Sequence, residues 1–312
     1  MNHPILQSLL CLLILVALGC GASRINPPPL TSTEAQPSAT PEPNNTSTKV
    51  SDTDSGDIDS IYSEDNALSY DGYEVERRSR TMKFRGTKYD TQILYAVLKK
   101  NGKVLATFDG LSYPLGVEVR FGLFPLLGES SKQLIVEQST YRGLRYWVVN
   151  LSPGFRVVYD SLNYPVGYLR ALDLDKDGRY ELIQPLLSFG FFNKLDNTNS
   201  PSIDIVFKYN PRTQTYIPAN PEFQDFALKD IEQKIKEARE VGATDDSSNY
   251  YRNLLSAVLE VSLRYIYAGK DKEGWSFYEE YNAPDKDEVK SELKKVLNED
   301  SVYKSIHGKR AT

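Results

Sequence analysis

Three stretches in the middle of the chain each place a turn-forming sequence between two largely hydrophobic runs, in the manner of β-hairpins. Segments 93–108, 145–159 and 203–217 are rich in β-branched and aromatic residues, which favour strands. Asn101-Gly102 divides the first segment, and this pair suits a tight turn because both of its residues accept positive φ. Ser152-Pro153-Gly154 and Asn210-Pro211 provide turn-forming sequences in the other two. The pattern therefore predicts three antiparallel hairpins.

A nine-residue motif follows the first two hairpins. FDGLSYPLG at residues 108–116 returns as YDSLNYPVG at residues 159–167, 51 residues later, and all nine positions match in residue class. Downstream of each copy a loop precedes a short apolar strand, at residues 127–138 and 174–185. The two strands align when Gln133 is placed over Glu181. The recurrence predicts a repeated unit of loop, strand, hairpin and connector.

From residue 220 onward the apolar period is close to 3.6 residues, which indicates helices. One apolar series stops at Gly242 and another at Gly269, and a further helix opens at Asp285 as its N-cap. The aromatic residues predicted to be core or interdomain contacts are Trp275, Phe277, Tyr278 and Tyr281.

We therefore predict an α+β protein. Residues 71–220 form a repeated, antiparallel, blade-like hairpin module, and residues 221–312 form a small α-helical domain. About three repeat units fit into the first segment, whereas a closed propeller needs at least four blades. We expect an open arrangement of sheets.

Composition narrows the chemistry available to this protein. The chain has 312 residues, of which 40% are hydrophobic and 25% charged, as in a soluble globular protein. Its only histidines are His3 and His307, and its only cysteines are Cys11 and Cys20. These counts argue against a histidine-built metal site, a Ser-His-Asp triad and a disulfide framework.

Charge is concentrated near the N-terminus. Residues 21–70 contain eight acidic and two basic residues, a net charge of −6, and residues 1–20 contain neither kind. Since the whole chain carries −5, residues 71–312 carry about +1. No nucleic-acid partner is expected from so neutral a folded region.

The N-terminus has the pattern of an export signal. The apolar run at residues 9–18 is too short to span a bilayer comfortably. Ala17-Leu18-Gly19-Cys20 resembles the bacterial lipoprotein signal, which implies removal of residues 1–19 and acylation of Cys20 by palmitate-like chains. The resemblance places the protein in the bacterial cell envelope, on the outer membrane if the source is Gram-negative. An ordinary secretory signal or an unprocessed anchor is the alternative.

Residues 20–70 follow as an acidic segment rich in Pro, Ser, Thr and Asn. Such a composition cannot bury enough apolar surface to offset the entropy of ordering, so we predict a disordered tether.

The stretch ALDLDKDGRYELI at residues 171–183 has the spacing of a cation-binding loop. Acids at every second position can surround one hard cation, and a glycine at the sixth position permits a sharp turn. An EF-hand would require a glutamate where Gln184 stands, and helices where the flanks favour strands. The predicted ligands are Asp173, Asp175, Asp177, the Arg179 carbonyl and Glu181.

This loop, with its strand flanks, resembles the calcium loops of FG-GAP/VCBS repeats, the blade units of integrin-type β-propellers. The resemblance implies one structural Ca²⁺. The alternative is a polar Asp-Gly turn that binds no ion.

A basic run occupies residues 77–88, with six cationic residues in twelve. It could contact anionic lipid or cell-wall polymer, or it could be the solvated face of an edge strand.

The function favoured by these features is that of a membrane-anchored binding or scaffold lipoprotein with a structural Ca²⁺ site and no predicted catalytic residue. Its expected partners are the membrane, through Cys20, and an envelope protein or polysaccharide. One alternative is a hydrolase of envelope polysaccharide or peptide that uses paired carboxylates. A second is an adaptor that acts through its helices.

Overall fold

The computed structural model describes residues 61–83, 90–109, 118–140, 143–161, 167–193, 195–196, 198–244 and 250–308. The predicted signal, Cys20 and most of the predicted tether lie outside these residues. None of the helices within the described ranges has the length and apolar character needed to cross a bilayer.

Twelve strands in the described part of the chain form three four-stranded antiparallel sheets. Sheet 1 contains β1 (Ala67–Tyr70), β2 (Tyr73–Lys83), β3 (Asp90–Lys100) and β4 (Lys103–Phe108). Sheet 2 contains β5 (Val119–Phe124), β6 (Gln133–Thr140), β7 (Gly143–Asn150) and β8 (Arg156–Asp160). Sheet 3 contains β9 (Arg170–Leu172), β10 (Glu181–Leu186), β11 (Ile203–Asn210) and β12 (Thr215–Pro218). Strand order follows chain order in each sheet, and none of the sheets closes on itself.

Each predicted hairpin joins the third and fourth strands of one sheet. In the first, Asn101 and Gly102 have φ values of 51° and 75°, as the Asn-Gly pair requires. The predicted alignment also holds in the structure, because Gln133 and Glu181 are the first residues of the second strands of sheets 2 and 3. The repeated sequence unit therefore corresponds to successive four-stranded sheets along the chain.

The nine-residue motif begins where a sheet ends. Phe108 is the last residue of β4, and Tyr159 lies in β8. Residues 110–116 of the first copy and 162–166 of the second lie outside the described residues. The aspartate that follows each aromatic residue forms an ion pair with an arginine. Asp109 lies 2.7 Å from Arg80, and Asp160 lies 3.0 Å from Arg145.

Sheet 2 is buried on both faces. On one face Leu134 and Val136 of β6 pack with sheet 1, while Ile135 between them belongs to the apolar cluster shared with sheet 3. Successive strand residues point to opposite faces, so both sets of side chains must be apolar. This double burial explains the uninterrupted apolar runs at residues 134–136 of β6 and 146–149 of β7.

Helices follow a 3-10 turn at Asn220–Glu222. They are α1 (Gln224–Ala227), α2 (Ile231–Thr244), α3 (Tyr250–Tyr267), α4 (Asp271–Tyr278), α5 (Lys286–Glu299) and α6 (Ser301–His307). Helix α3 packs against β11, and α6 packs against β12. One apolar cluster runs from sheet 2 through sheet 3 into α3 and α5.

The helical prediction needs correction at two points. The single series expected to stop at Gly242 is interrupted before α2, where Asp230 has a φ of 60°, and α2 continues to Thr244. Asp285 does precede α5, but it makes no side-chain capping bond, and its carboxylate accepts a bond from the Tyr281 hydroxyl at 3.2 Å. The predicted aromatic contacts are confirmed: Phe277, Tyr278 and Tyr281 are buried and Trp275 packs against them.

The predicted boundary of the tether at residue 70 is also corrected. Strand β1 begins at Ala67, and Leu68 and Tyr70 pack on the apolar cluster between sheets 1 and 2. Farther upstream, Tyr62 pairs with Gly122, and the Arg120 guanidinium lies 4.5 Å from its ring. Residues 61–70 therefore pack against the sheets through their apolar side chains, and the predicted tether ends before them.

Candidate metal centre

The acidic loop connects β9 to β10 in sheet 3. Leu172 pairs with Glu181 across its base, so that the loop is closed by the sheet itself. Two residues within it take positive φ: Lys176 at 60° and Gly178 at 79°. Gly178 adopts this left-handed conformation without the steric cost that a Cβ atom would add, which agrees with the role predicted for this glycine.

Backbone N–H groups hold the aspartates in place. The two carboxylate oxygens of Asp173 accept bonds from the N–H groups of Asp177, at 3.1 Å, and Gly178, at 3.0 Å. The Asp177 carboxylate accepts the N–H of Arg179 at 2.8 Å. Aspartates commonly order turns through such bonds, so the loop has a defined conformation as a polar turn even before an ion is considered.

The three aspartates come together as a group. Asp173, Asp175 and Asp177 each offer a carboxylate oxygen, and these oxygens lie within 4.8 Å of one another. Within the described residues this is the one group of three or more His, Cys, Asp or Glu side chains with such spacing. Oxygen ligands at this separation fit a hard cation, which would also relieve the repulsion between the carboxylates.

Glu181 is placed differently from the aspartates. Its side chain is 2% exposed, and it accepts the N–H of Leu174 at 3.0 Å. Burial raises the pKa of Glu181 to about 7; the Asp175 charge adds to this effect, while the Leu174 N–H opposes it. The structure therefore groups three of the four predicted acids and places the fourth against the backbone at the base of the loop.

A lysine outside the predicted ligand set also contacts the loop. The Lys208 ammonium lies 2.9 Å from an Asp175 carboxylate oxygen and 3.7 Å from Glu222. Its bond to Asp175 lowers the pKa of that carboxyl and raises the pKa of Lys208. Lys208 thus already neutralises part of the cluster's charge. It comes from β11, and no local pattern around residues 173–181 could have indicated it.

The equivalent loop of sheet 2 performs the same backbone function with an uncharged residue at the position of Glu181. Gln133, which aligns with Glu181, is fully buried, and its amide oxygen accepts the N–H of Leu127 at 2.9 Å. Both side chains therefore fasten a loop to the first residue of the second strand. Since an uncharged amide is sufficient for this bond at Gln133, the bond does not explain why the side chain at position 181 is an ionisable carboxyl group.

The acidic loop also contacts the neighbouring unit. The N–H of Tyr180 donates to the Leu126 carbonyl at 2.8 Å, between sheets 2 and 3. The Tyr216 hydroxyl donates to the Tyr180 carbonyl at 3.1 Å and thereby ties the loop to β12. A change in the conformation of this loop would act on two sheets.

The basic run has two structural roles in the described residues. Arg77 points inward, donates to the Val119 carbonyl at 2.9 Å and lies 5.6 Å from the Phe121 ring, so it joins sheets 1 and 2. Arg78 and Arg80 are half exposed on β2, beyond the part that β1 covers. This part of β2 is a charged edge, as predicted; residues 84–89 lie outside the described residues.

Comparison of the chain with protein-family models, curated proteins and solved structures finds no match.

Proposed function

We propose that this chain is a membrane-anchored envelope lipoprotein that binds or organises other envelope components, with a β-module stabilised by one Ca²⁺. The ion would be held by Asp173, Asp175 and Asp177, with the Arg179 carbonyl and Glu181 completing its coordination. The grouping of the three aspartate carboxylates is the observation that supports the ion site, and the resemblance of residues 17–20 to a lipoprotein signal supports the anchor.

The arrangement supports a structural ion rather than a catalytic one. The aspartates are engaged by the loop's own backbone, and Glu181 and its counterpart Gln133 serve the same fastening role. The loop also bonds to Leu126 and to Tyr216, so an ion there would stiffen the contact between sheets 2 and 3. Three consecutive four-stranded antiparallel sheets are consistent with blade-like units of the FG-GAP/VCBS kind.

The ion site is tested by calorimetric titration of Ca²⁺ into protein that has been treated with EDTA. We expect one site per chain and heat that is lost in Asp175→Asn and in Asp177→Asn, because each substitution removes a charged ligand. Glu129→Gln is the matched control, since Glu129 is an exposed acid in the equivalent loop of sheet 2. Binding that is absent from the parent protein, or equal in all variants, would refute the site.

A further inference from the structure

A polar groove of about 400 Å³ lies between α2, α3 and the segment before β11. This volume falls within the range of small-molecule sites. Neutral hydrogen-bonding side chains line much of it: Asn199, Ser200, Ser202, Asn253 and Ser256. Ala238 and Ala257 also line it, and their small side chains leave room between the two helices. A ligand here would meet hydrogen-bonding groups and apolar surface in similar measure.

The wall formed by residues 198–202 is held in place by hydrogen bonds. The Asp196 carboxylate accepts the N–H groups of Thr198, at 2.9 Å, and Asn199, at 3.2 Å, and forms an ion pair with Arg252 of α3 at 3.3 Å. The Ser256 hydroxyl donates to the Asn199 carbonyl. The groove is therefore formed before any ligand binds, which lowers the entropic cost of binding.

One carboxylate in the groove has no direct ion pair. The Glu260 carboxylate accepts the N–H of Ser202 at 2.7 Å through one oxygen, and among the described residues no side-chain cation forms an ion pair with it. The nearby ammonium of Lys234 is already paired with Glu237 at 3.1 Å. Burial raises the pKa of Glu260, while the bond from Ser202 and the positive charges of Arg264 and Lys234 oppose this effect. A ligand cation would form the direct ion pair that this carboxylate lacks.

We propose that this groove binds a small hydroxylated molecule that carries a protonated amine, such as an amino sugar with a free amine. Glu260 would bind the ammonium group, and the hydroxyls would bind Ser202, Asn199 and their neighbours. The inference deepens the proposed binding function by naming a ligand class, and it does not depend on the Ca²⁺ site.

The test is a titration of the folded chain with D-glucosamine, followed by NMR. D-glucose, which is nearly the same size, and N-acetyl-D-glucosamine, which is larger, serve as probes that lack the cation. We expect saturable binding of glucosamine and binding of the two neutral sugars that is about tenfold weaker or more, as for the loss of a charge-assisted hydrogen bond. Equal binding of all three sugars, or binding of none, would overturn the proposal.

Two variants locate the site. Glu260→Gln keeps an acceptor for the Ser202 N–H but removes the charge, and Ala257→Leu fills the groove; each should weaken glucosamine binding about tenfold or more. Glu232→Gln is the matched control, because Glu232 is an exposed acid of α2 that does not line the groove, and it should leave the affinity within about twofold. Unchanged affinity in both groove variants would place any bound sugar elsewhere and reject the groove. The Ca²⁺ titration of the same samples reports separately on the ion site, so the two proposals can fail independently.

Discussion

Lys208 and Asp175 show how the charge of the aspartate cluster is balanced at the scale of single residues. The lysine ammonium bonds one of the three carboxylates that would surround the ion. A divalent cation and an ammonium group repel each other at such distances, so each should weaken the binding of the other.

The first prediction concerns Lys208→Met, which keeps the aliphatic chain and removes the ammonium. Calorimetry should show tighter Ca²⁺ binding, by several fold, because the competing positive charge is gone. Urea unfolding in EDTA should show a loss of roughly 0.5–1 kcal/mol, since a partly exposed ion pair is removed.

Lys290→Met serves as the control, because Lys290 is paired with Glu279 in the helical region. Calcium affinity that is unchanged or weaker in Lys208→Met would show that Lys208 does not compete for the aspartates.

The second prediction concerns the pH dependence caused by Glu181. In the folded protein its pKa is about 7, above the usual value of 4.5, so the folded state holds a proton that the unfolded chain has already released. In EDTA the free energy of unfolding should therefore fall as pH rises from about 5 to about 7, by an amount on the order of 1–3 kcal/mol.

Urea titrations at several pH values measure this slope. Glu181→Gln should flatten it, because an amide fastens the equivalent loop at Gln133. An equally steep slope in that variant would assign the pH dependence to other groups.

At the scale of elements, the sequence predicts best what is local. The Asn101-Gly102 turn, the three hairpins and the Gly269 helix end each depend on a few neighbouring residues, and each is present in the structure. The contact of Lys208 with the acidic loop joins residues 33 positions apart through sheet pairing. Such a contact depends on strand register, which no local pattern specifies.

The helical region also contains features that local sequence patterns do not predict. The spacing of apolar residues marks the helical faces, but it does not reveal the left-handed residue Asp230 that separates α1 from α2. The apolar pattern does not predict α6 as a separate helix. Asp300 is the N-cap of this helix, and its carboxylate accepts the N–H of Tyr303 at 2.7 Å. The Asp300 carboxylate also accepts a hydrogen bond from the hydroxyl of Ser188, which lies 112 positions earlier in the chain.

The third prediction concerns the close packing of α3 on α4. A Cβ atom at Gly274 would lie 2.5 Å from the Ser262 carbonyl oxygen, which belongs to the backbone of α3. Gly274→Ala should therefore lower the free energy of unfolding by about 2 kcal/mol, although alanine favours helix.

Gly154→Ala is the control for this prediction, because a Cβ there meets nothing within 4 Å. Unfolding by urea, followed by circular dichroism, measures both variants. No loss of stability in Gly274→Ala would mean that the helices can move apart without cost.

At the scale of the whole molecule, the helices and the sheets share one apolar cluster. Residues 71–220 and 221–312 differ in secondary structure as predicted, but the cluster that joins sheet 3 to α3 and α5 indicates that they unfold together. Cooperative unfolding is expected when a single core connects the elements.

The two tryptophans test this fourth prediction, because Trp147 lies in β7 and Trp275 in α4. Trp275→Phe leaves a probe of the sheets, and Trp147→Phe leaves a probe of the helices. Each variant's fluorescence transition in urea should coincide with its own circular dichroism transition. Separate transitions would show two independently stable domains.

The fifth prediction concerns the anchor. Expression of the full chain in a bacterium that processes lipoproteins should give a membrane-bound product that incorporates labelled palmitate, whereas Cys20→Ser should abolish the labelling and release any exported protein whose signal is cleaved. Cys11→Ser is the control, since Cys11 lies in the predicted signal. Labelling that persists in Cys20→Ser would contradict lipidation at this residue.

Thermal unfolding in excess Ca²⁺ and in EDTA tests the central claim most directly. An ion that binds only the folded chain stabilises it by about 2.7 kcal/mol at a hundred times its dissociation constant, so the melting temperature should rise by several degrees in Ca²⁺. The rise should disappear in Asp175→Asn and persist in Glu129→Gln. A melting temperature that is the same in Ca²⁺ and EDTA would contradict the account.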